Sequence, residues 1–568
     1  MKKSLLILVF LIISYPVFSQ WSNDPLVNNP VSTSSGDQRF VESCPDGAGG
    51  LIMAWVDYRT NPPQIYSQKI NAFGQSVWQL NGVPAALNAA DQTNPAICSD
   101  AAGGCIITWI DSRNGSNGDM YAQRIRTDGL LMWNSAGVRV SRASSYLGID
   151  LNQVKIIQAE GGYAIISWRD IPTSSLLTQK LSDNGTRLWD ANDVVVTNAV
   201  NHYSMCKDSQ DGIYFAYMSE YPAFIYTQHL NINGVAQWPG NTLIVSVPSY
   251  KYTPTMCEDQ NGGFIVSWPD WRDNPFTLRP NIYASHIGPS HNDIWTPNGT
   301  SITTGSANNY QLPKCISDNH GGAYIVYLFS DPTFTDFRVY AQDISYFGDL
   351  RWTPANGKLI TDKVDYIPTL DNRFDVQMAT VDALGGLITC WLGYYDNALT
   401  QYGLLAQRMD YYGNNIWDNN GVFVSKGTNM LRPTIVFDGG SSGCNIAWSD
   451  SRNFGSSGFD IYAQHLKANS NLGNRINNNS VKGNFVKQNY PNPFNPETSI
   501  SFNISQPGFV SLNIYDMSGR EVASLVNSHY DIGEYSVTWK ANNFASGVYY
   551  YKFISNNRVE VKSMILVK

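Results

Sequence analysis

One strand is written several times over in this chain. "GGLIMAWVDYR" begins at Gly49, "GGCIITWIDSR" at Gly103, "GGFIVSWPDWR" at Gly262 and "GCNIAWSDSR" at Gly443. With the turn glycine as marker, units fall at Gly50, Gly104, Gly162, Gly212, Gly263, Gly322, Gly386 and Gly440, at intervals of 54, 58, 50, 51, 59, 64 and 54 residues. Units of this length define a repeat architecture, in which each unit buries its apolar face against its neighbours. Within a unit, "NPAICSD" leads through a turn to "CIITWID", a variable loop leads to "DMYAQRI", and a second turn leads to "LLMWNSAGVRV". These runs are short, apolar and punctuated by Gly, Asp and Asn, so they read as four antiparallel strands. Helical spacing of apolar residues is absent almost throughout. A β-helix has a much shorter period, and tandem immunoglobulin-like sandwiches need about 100 residues each. The pattern therefore predicts an all-β fold, with an eight-bladed β-propeller of four-stranded blades at residues 21–467.

The ends of the repeat array carry a second expectation. The eighth unit has its first three strands, finishing with "DIYAQHLK" at Lys467, and then runs into the Asn-rich segment 468–484. The missing fourth strand resembles "WSNDPLVNNPV", Trp21 to Val31; compare "WNSAGVRV" from Trp133 and "WDNNGVFV" from Trp417. Pairing Trp21–Val31 into the last blade closes the ring and covers an otherwise open sheet edge. Two tryptophan slots repeat with the strands. Trp55, Trp109, Trp168, Trp268, Trp391 and Trp448 share one, with Tyr217 and Tyr327 in the other two units; Trp78, Trp133, Trp189, Trp238, Trp295, Trp352 and Trp417 share another. Large aromatics at repeated positions are expected to fill the wedge between neighbouring sheets. The Gln of "YAQ" (Gln68, Gln123, Gln407 and their equivalents) is expected to tie blade to blade.

Lys2 and Lys3 followed by "LLILVFLII" read as a cleavable signal peptide over residues 1–20, too short an apolar run to span a bilayer comfortably. No later run is apolar for 18 residues, so no transmembrane segment is expected. A net charge of -8 with no basic cluster argues against a nucleic-acid partner. Of the eight cysteines, Cys44, Cys98, Cys206, Cys257 and Cys315 occupy one slot in different units, normally too far apart to bridge. Cys98 and Cys105 alone are placed to face each other across a hairpin. The rest read as small buried thiols.

From about residue 485 the pattern changes to "YPNPFNP" (Tyr490–Pro496), "IYDMSGREV" (Ile514–Val522), "SGVYYYKF" (Ser546–Phe553) and a terminal "KSMILVK". Alternating apolar residues with Gly and Pro turns describe a small Ig-like β-sandwich over residues 485–568. This segment resembles the C-terminal sorting domain of bacterial type IX secretion cargo. The resemblance implies that Gly547, Tyr549, Lys562 and Lys568 belong to a sorting signal, that the secretion machinery is a partner, and that the protein is exported to the surface or beyond.

The repeated Asp-x-Arg lies at the end of the second strand, where both side chains point the same way. Asp57 with Arg59, Asp111 with Arg113, Asp270 with Arg272, and Asp450 with Arg452 are read as structural latches; Arg169 and Asp170 are a variant. Repetition favours support, whereas binding sites break the symmetry of a repeat. The deviant loops are therefore the candidate ligand face: Trp271, Arg272, Tyr394, Tyr395, Asp396, Tyr252 and Tyr310, joined by other loop tyrosines such as Tyr146 and Tyr366. His229, His286 and His465 share a slot that is Lys or Arg elsewhere and are expected to be solvated. No cofactor is expected beyond a candidate Ca²⁺ at Asp119 and Asp460. No catalytic motif is recognised. The reading is a monomeric surface binding or adhesion protein with a glycan or protein partner. The alternative is a polysaccharide hydrolase using carboxylates on the channel face.

Overall fold

A computed structural model describes residues 21–568 except 142–153, 365–376, 396–400, 468–484 and scattered stretches of four residues or fewer. Residues 1–20, expected to be a signal peptide, the Asn-rich segment 468–484, Tyr146, Tyr366 and Asp396 lie outside the described residues. The chain divides into two compact units, Met1–Asn474 and Arg475–Lys568. Both are all-β; among the described residues the one helical element is a 3-10 turn, Glu160–Gly162.

Among the described residues the first unit has eight open four-stranded sheets, antiparallel throughout. The first runs Gln38–Pro45, Leu51–Asp57, Gln64–Ile70 and Val83–Pro84, neighbours in sequence and in space. The second strand of each sheet is buried on both faces: Leu51–Asp57 shows no exposed position. That is why these segments read as continuous apolar runs rather than as alternating ones. The first strand of each sheet packs beside the first strand of the next, from Gln38–Pro45 against Gln92–Ser99 onward to Gln377–Val381 against Met430–Phe437. Met430–Phe437 in turn packs against Gln38–Pro45, where Ser43 Oγ and Thr434 Oγ1 are 2.9 Å apart.

The eighth sheet has the order Asn29–Ser32, Asp460–Leu466, Cys444–Asp450, Met430–Phe437. Pro30 stands opposite Tyr462 as Pro84 stands opposite Tyr66 in the first sheet. Trp21 shares the environment of the repeated fourth-strand tryptophans. Trp78, Trp133 and Trp189 donate their indole N–H to Thr127 O, Asp183 O and Ile232 O at 3.0, 2.8 and 2.9 Å, each a turn of the following sheet; Trp21 donates to Ala72 O at 2.9 Å. A glycine sits against each ring. A β-carbon on Gly129 would lie 2.9 Å from Trp78, and one on Gly74 would lie 3.0 Å from Trp21, so only glycine fits there.

The repeated glutamine plays a different part from the one expected. Gln68 Nε2 donates to Gln79 O at 2.7 Å and its Oε1 accepts from Trp78 N, both within one sheet. It fixes the tryptophan's own loop, because the amide reaches only about one strand spacing. The eighth copy, Gln464, donates to Ser22 O at 2.7 Å.

All eight cysteines are free and buried. Cys98 pairs with Ile106, and Cys105 with Ser99, so these two cysteines sit on adjacent rungs rather than opposite each other. Cys257 and Cys315 correct the expectation of separation, with Sγ atoms 3.3 Å apart. The first strands of adjacent sheets run side by side, which brings equivalent slots together.

The second unit has a three-stranded sheet, Phe485–Val486, Glu497–Ile504 and Gly533–Lys540, and a four-stranded sheet ordered Glu521–Tyr530, Gly508–Tyr515, Gly547–Ser555, Arg558–Leu566. Its core holds Ile500, Phe502, Leu512, Ile514, Trp539, Tyr551 and Phe553. Tyr549 is buried and donates to Ala545 O at 2.9 Å. Gly547 pairs with Leu566, and Lys562 with Tyr551, on the two C-terminal strands, and Lys568 Nζ donates to Asn542 O at 2.6 Å.

Deleting residues 21–32 removes a whole strand and the Trp21 wedge. We expect a large fall in melting temperature of the first unit, read by differential scanning fluorimetry. An unchanged melt would contradict the role assigned to this strand.

Candidate functional site

The Trp-x-Asp-x-Arg motif folds into a compact unit. Asp111 Oδ2 accepts the indole N–H of Trp109 at 2.9 Å and Arg113 Nη2 at 2.6 Å, while Oδ1 accepts Arg113 N at 3.0 Å and Nε at 2.7 Å. The guanidinium lies 3.8 Å over the ring of Tyr121 and donates to Ala136 O at 2.7 Å. Burial alone would raise Asp111, but the Arg113 and Trp109 donors outweigh it and hold the carboxyl below its usual value. Asp57 with Arg59, Asp270 with Arg272 and Asp450 with Arg452 repeat the arrangement, over Tyr66, Tyr283 and Tyr462. In the eighth sheet the receiving carbonyl is Leu26 O, supplied by the N-terminal segment.

Where the arginine is missing, the unit comes apart. Asp170 stands two residues after Trp168 but turns to Thr173, and Arg169 points to Ser174 Oγ. The indole N–H of Trp168, like that of Trp391, is buried without an acceptor among the described residues. The arginine at the fourth position after the tryptophan is thus what aims the carboxylate inward.

The fifth sheet departs from this pattern by addition. Ser249 Oγ donates to Asp270 Oδ1 at 2.6 Å. Lys251, fully buried, pairs opposite Asp270 with Nζ 3.8 Å from Oδ2, and donates to Val247 O at 2.6 Å and Ser249 Oγ at 2.7 Å. Burial pushes Lys251 down to about 8, against the opposing attraction of Asp270. Because Lys251 faces inward, its neighbours Tyr250 and Tyr252 face outward; they are 48% and 38% exposed. Tyr250 meets Trp271 edge-on at 4.9 Å, and Tyr252 meets His202 at 4.6 Å. The Trp271 indole N–H is buried and has no acceptor among the described residues.

Of the expected ligand face, Trp271 meets Tyr250 and Tyr252 stands two residues further along the same segment against His202, while Arg272 is drawn into the latch with Asp270. The others do not join them. Tyr310 is buried, packed on Tyr327 and Phe329 at 6.0 and 5.6 Å; its ring belongs to the core, which corrects its placement on a ligand surface. Tyr394 packs on Tyr402 and Tyr395 on Phe423, both within the seventh sheet. Ser249 and Lys251 were not singled out from sequence, yet a signal exists. Gln38, Gln92 and Lys251 each stand 19 residues before the latch aspartate, and Gln38 donates to Ser34 O and Gly36 O as Lys251 does to Val247 O.

The histidines are not solvated. In the first, second and seventh sheets the turn aspartate takes a cation from the third strand: Asp46 with Lys69, Asp100 with Arg124, Asp382 with Arg408. His229, His286 and His465 fill the same place against Asp208, Asp259 and Asp438 at 2.6, 2.7 and 3.1 Å. The sixth sheet puts an acid there, Asp343. Its carboxyl and that of Asp318 share the Arg351 guanidinium, at 3.3 and 2.8 Å. Burial, with Asp318 adding to it and Arg351 opposing, pushes Asp343 up to about 7. The Ca²⁺ candidates are also corrected. Asp119 is paired with Arg139 at 2.7 Å and Asp460 Oδ2 accepts from Asn453 at 2.9 Å, while Asp460 Oδ1 is buried without a donor among the described residues, so neither carboxylate stands in a ring of oxygens. Among the described residues no three His, Cys, Asp or Glu gather as metal ligands.

Asp111→Ala strands both an indole N–H and a guanidinium, and is expected to cost about 3–5 kcal/mol in chemical denaturation. Asp170→Ala, without those partners, is expected to cost about 1 kcal/mol; equal losses would contradict the latch geometry. Asp343 keeps its proton to higher pH in the folded chain than in the unfolded one, so its contribution to stability falls as pH rises from about 4 to about 7. Asp343→Asn should therefore raise the melting temperature at pH 8 more than at pH 5. A gain independent of pH would refute the assignment.

No curated protein matches the chain. Among solved structures, the polysaccharide lyase Uly1 is 7% identical over 70% of this chain and 93% of its own, with a TM-score of 0.41. An endo-arabinase from Bacteroides thetaiotaomicron is 10% identical over 48% and 95%, with a TM-score of 0.26, and a protein of unknown function from Dyadobacter fermentans is 9% identical over 78% and 98%, with a TM-score of 0.31. These likenesses are remote and carry no functional weight. Residues 488–568 match the family described as the secretion system C-terminal sorting domain. The tail resemblance is thereby confirmed: the chain carries a type IX sorting domain and is exported to the cell surface or the extracellular space.

Proposed function

We propose that the exported chain is an eight-bladed β-propeller that binds an extracellular glycan through the aromatic cluster of its fifth blade. The ring is supported by the succession of first-strand contacts that returns from Met430–Phe437 to Gln38–Pro45, and by the N-terminal strand in the eighth sheet. The Asp-Arg pairs serve as latches that hold each blade's loops, and the tail serves as an address read by the secretion machinery.

The observation that carries the binding reading is the contact of exposed Tyr250 with Trp271, with exposed Tyr252 close by in the chain, on the blade that adds a buried lysine and a serine behind its latch. Two exposed tyrosine rings beside a half-buried indole offer the apolar stacking surface that a sugar ring takes. A polysaccharide hydrolase needs carboxyl groups free to exchange protons with substrate. The latch carboxylates Asp57, Asp111, Asp270 and Asp450 are each engaged by an indole N–H and a guanidinium, which favours binding over hydrolysis.

A glycan array probed with the full chain, followed by titration of the best saccharide, tests this. Trp271→Ala and Tyr252→Ala should each weaken binding by about tenfold or more, about 1.4 kcal/mol, with melting temperature unchanged. Absence of any retained glycan, or release of reducing sugar from one, would overturn the reading; retention of a protein instead would point to a protein partner.

A further inference from the structure

Two thiols in neighbouring sheets lie against each other in a protein bound for an oxidising space. Cys257 is on Thr255–Glu258 of the fifth sheet and Cys315 on Asn309–Ser317 of the sixth, 58 residues apart in the chain. Their Sγ atoms are 3.3 Å apart, and both side chains are buried in one apolar cluster with Ile265, Ile325 and Tyr327. The two strands touch beside the thiols as well: Cys315 N donates to Thr255 Oγ1 at 3.3 Å, two residues before Cys257. A disulfide needs the sulfurs about 2.05 Å apart, so a movement of roughly 1.3 Å, within side-chain adjustment, completes the bond. Exported proteins keep disulfides where cytosolic ones do not. We propose that Cys257 and Cys315 are joined in the exported protein by a disulfide that staples the fifth sheet to the sixth.

The oxidant is a disulfide, either that of a dithiol oxidoreductase or of a small thiol. One cysteine thiolate attacks it, forming a mixed disulfide and expelling one thiolate. The second cysteine, deprotonated, attacks the protein sulfur of that mixed disulfide and expels the other thiolate. Two cysteine thiols lose two protons and two electrons, and the oxidant becomes two thiols. In the folded pair the hydrogen bond to Cys315, and then burial, push the Cys257 thiol up, leaving little thiolate. The exchange therefore belongs to folding, before the two sheets close on each other. The finished bond is then shielded from reductant by the same cluster.

The test refolds the full chain from denaturant in a glutathione and glutathione disulfide buffer, denatures it again in acid, alkylates it and weighs it. Of eight cysteines, two in the bond leave six to be alkylated, and peptide mapping without reductant should recover the segment holding Cys257 linked to that holding Cys315. Cys315→Ser should leave all seven remaining thiols free. Eight alkylated cysteines in the wild type overturn the proposal. So does a bond that involves Cys206 or any other partner, or one that persists in Cys315→Ser.

Discussion

The contact on which the first unit depends is a tryptophan packed on a glycine of the next sheet. Trp21, Trp78, Trp133 and Trp189 each reach out of one sheet, donate their indole N–H to a turn carbonyl of the next, and lie on a glycine with positive φ. A side chain at that glycine would drive into the ring. The contact does two things at once: it buries a large aromatic surface between sheets, and it fixes the turn that launches the next sheet's strand pairing. Each sheet is thus incomplete without its successor, which is the energetic character of a repeat protein.

Two polar devices act on that frame. In the sheets that carry both, as in the first, the turn aspartate with its Lys, Arg or His and the Trp-x-Asp-x-Arg unit sit at opposite ends of the second strand. Both consume their charges internally. What remains for an outside partner is whatever a particular sheet adds. Only in the fifth does the described structure place an extra lysine and serine behind an Asp-Arg pair and two exposed tyrosines in front of it. The export address on the second unit says where the chain goes; the proposed partner would meet it at this local break in symmetry.

The repeated features were open to reading because repetition averages out context. Turn glycines, the two tryptophan slots and the similarity of the Trp21 segment to later fourth strands were all visible as spacing. Direction was not. Asp57 and Arg59 were identifiable as partners, but the indole N–H of Trp55 as the third member was not, since it depends on which way the ring lies. Tyr310 illustrates the same limit: a loop tyrosine by pattern, it turns inward because a positive-φ residue, Leu312, and a register shift in its strand redirect the chain. The histidines looked solvated because their slot holds lysine elsewhere, yet that lysine is itself drawn in by a turn aspartate. Cys257 and Cys315 looked distant because sequence separation hides how closely first strands of adjacent sheets approach.

The account stands or falls on the first and eighth sheets being neighbours. Ser43 and Thr434, 391 residues apart, have their hydroxyl oxygens within 2.9 Å across that junction. A double variant, Ser43→Cys with Thr434→Cys, oxidised under dilute conditions and mapped by mass spectrometry, reports the junction directly. A link within one chain between the two introduced cysteines is the predicted result. Monomer in which both remain free to alkylation would contradict it.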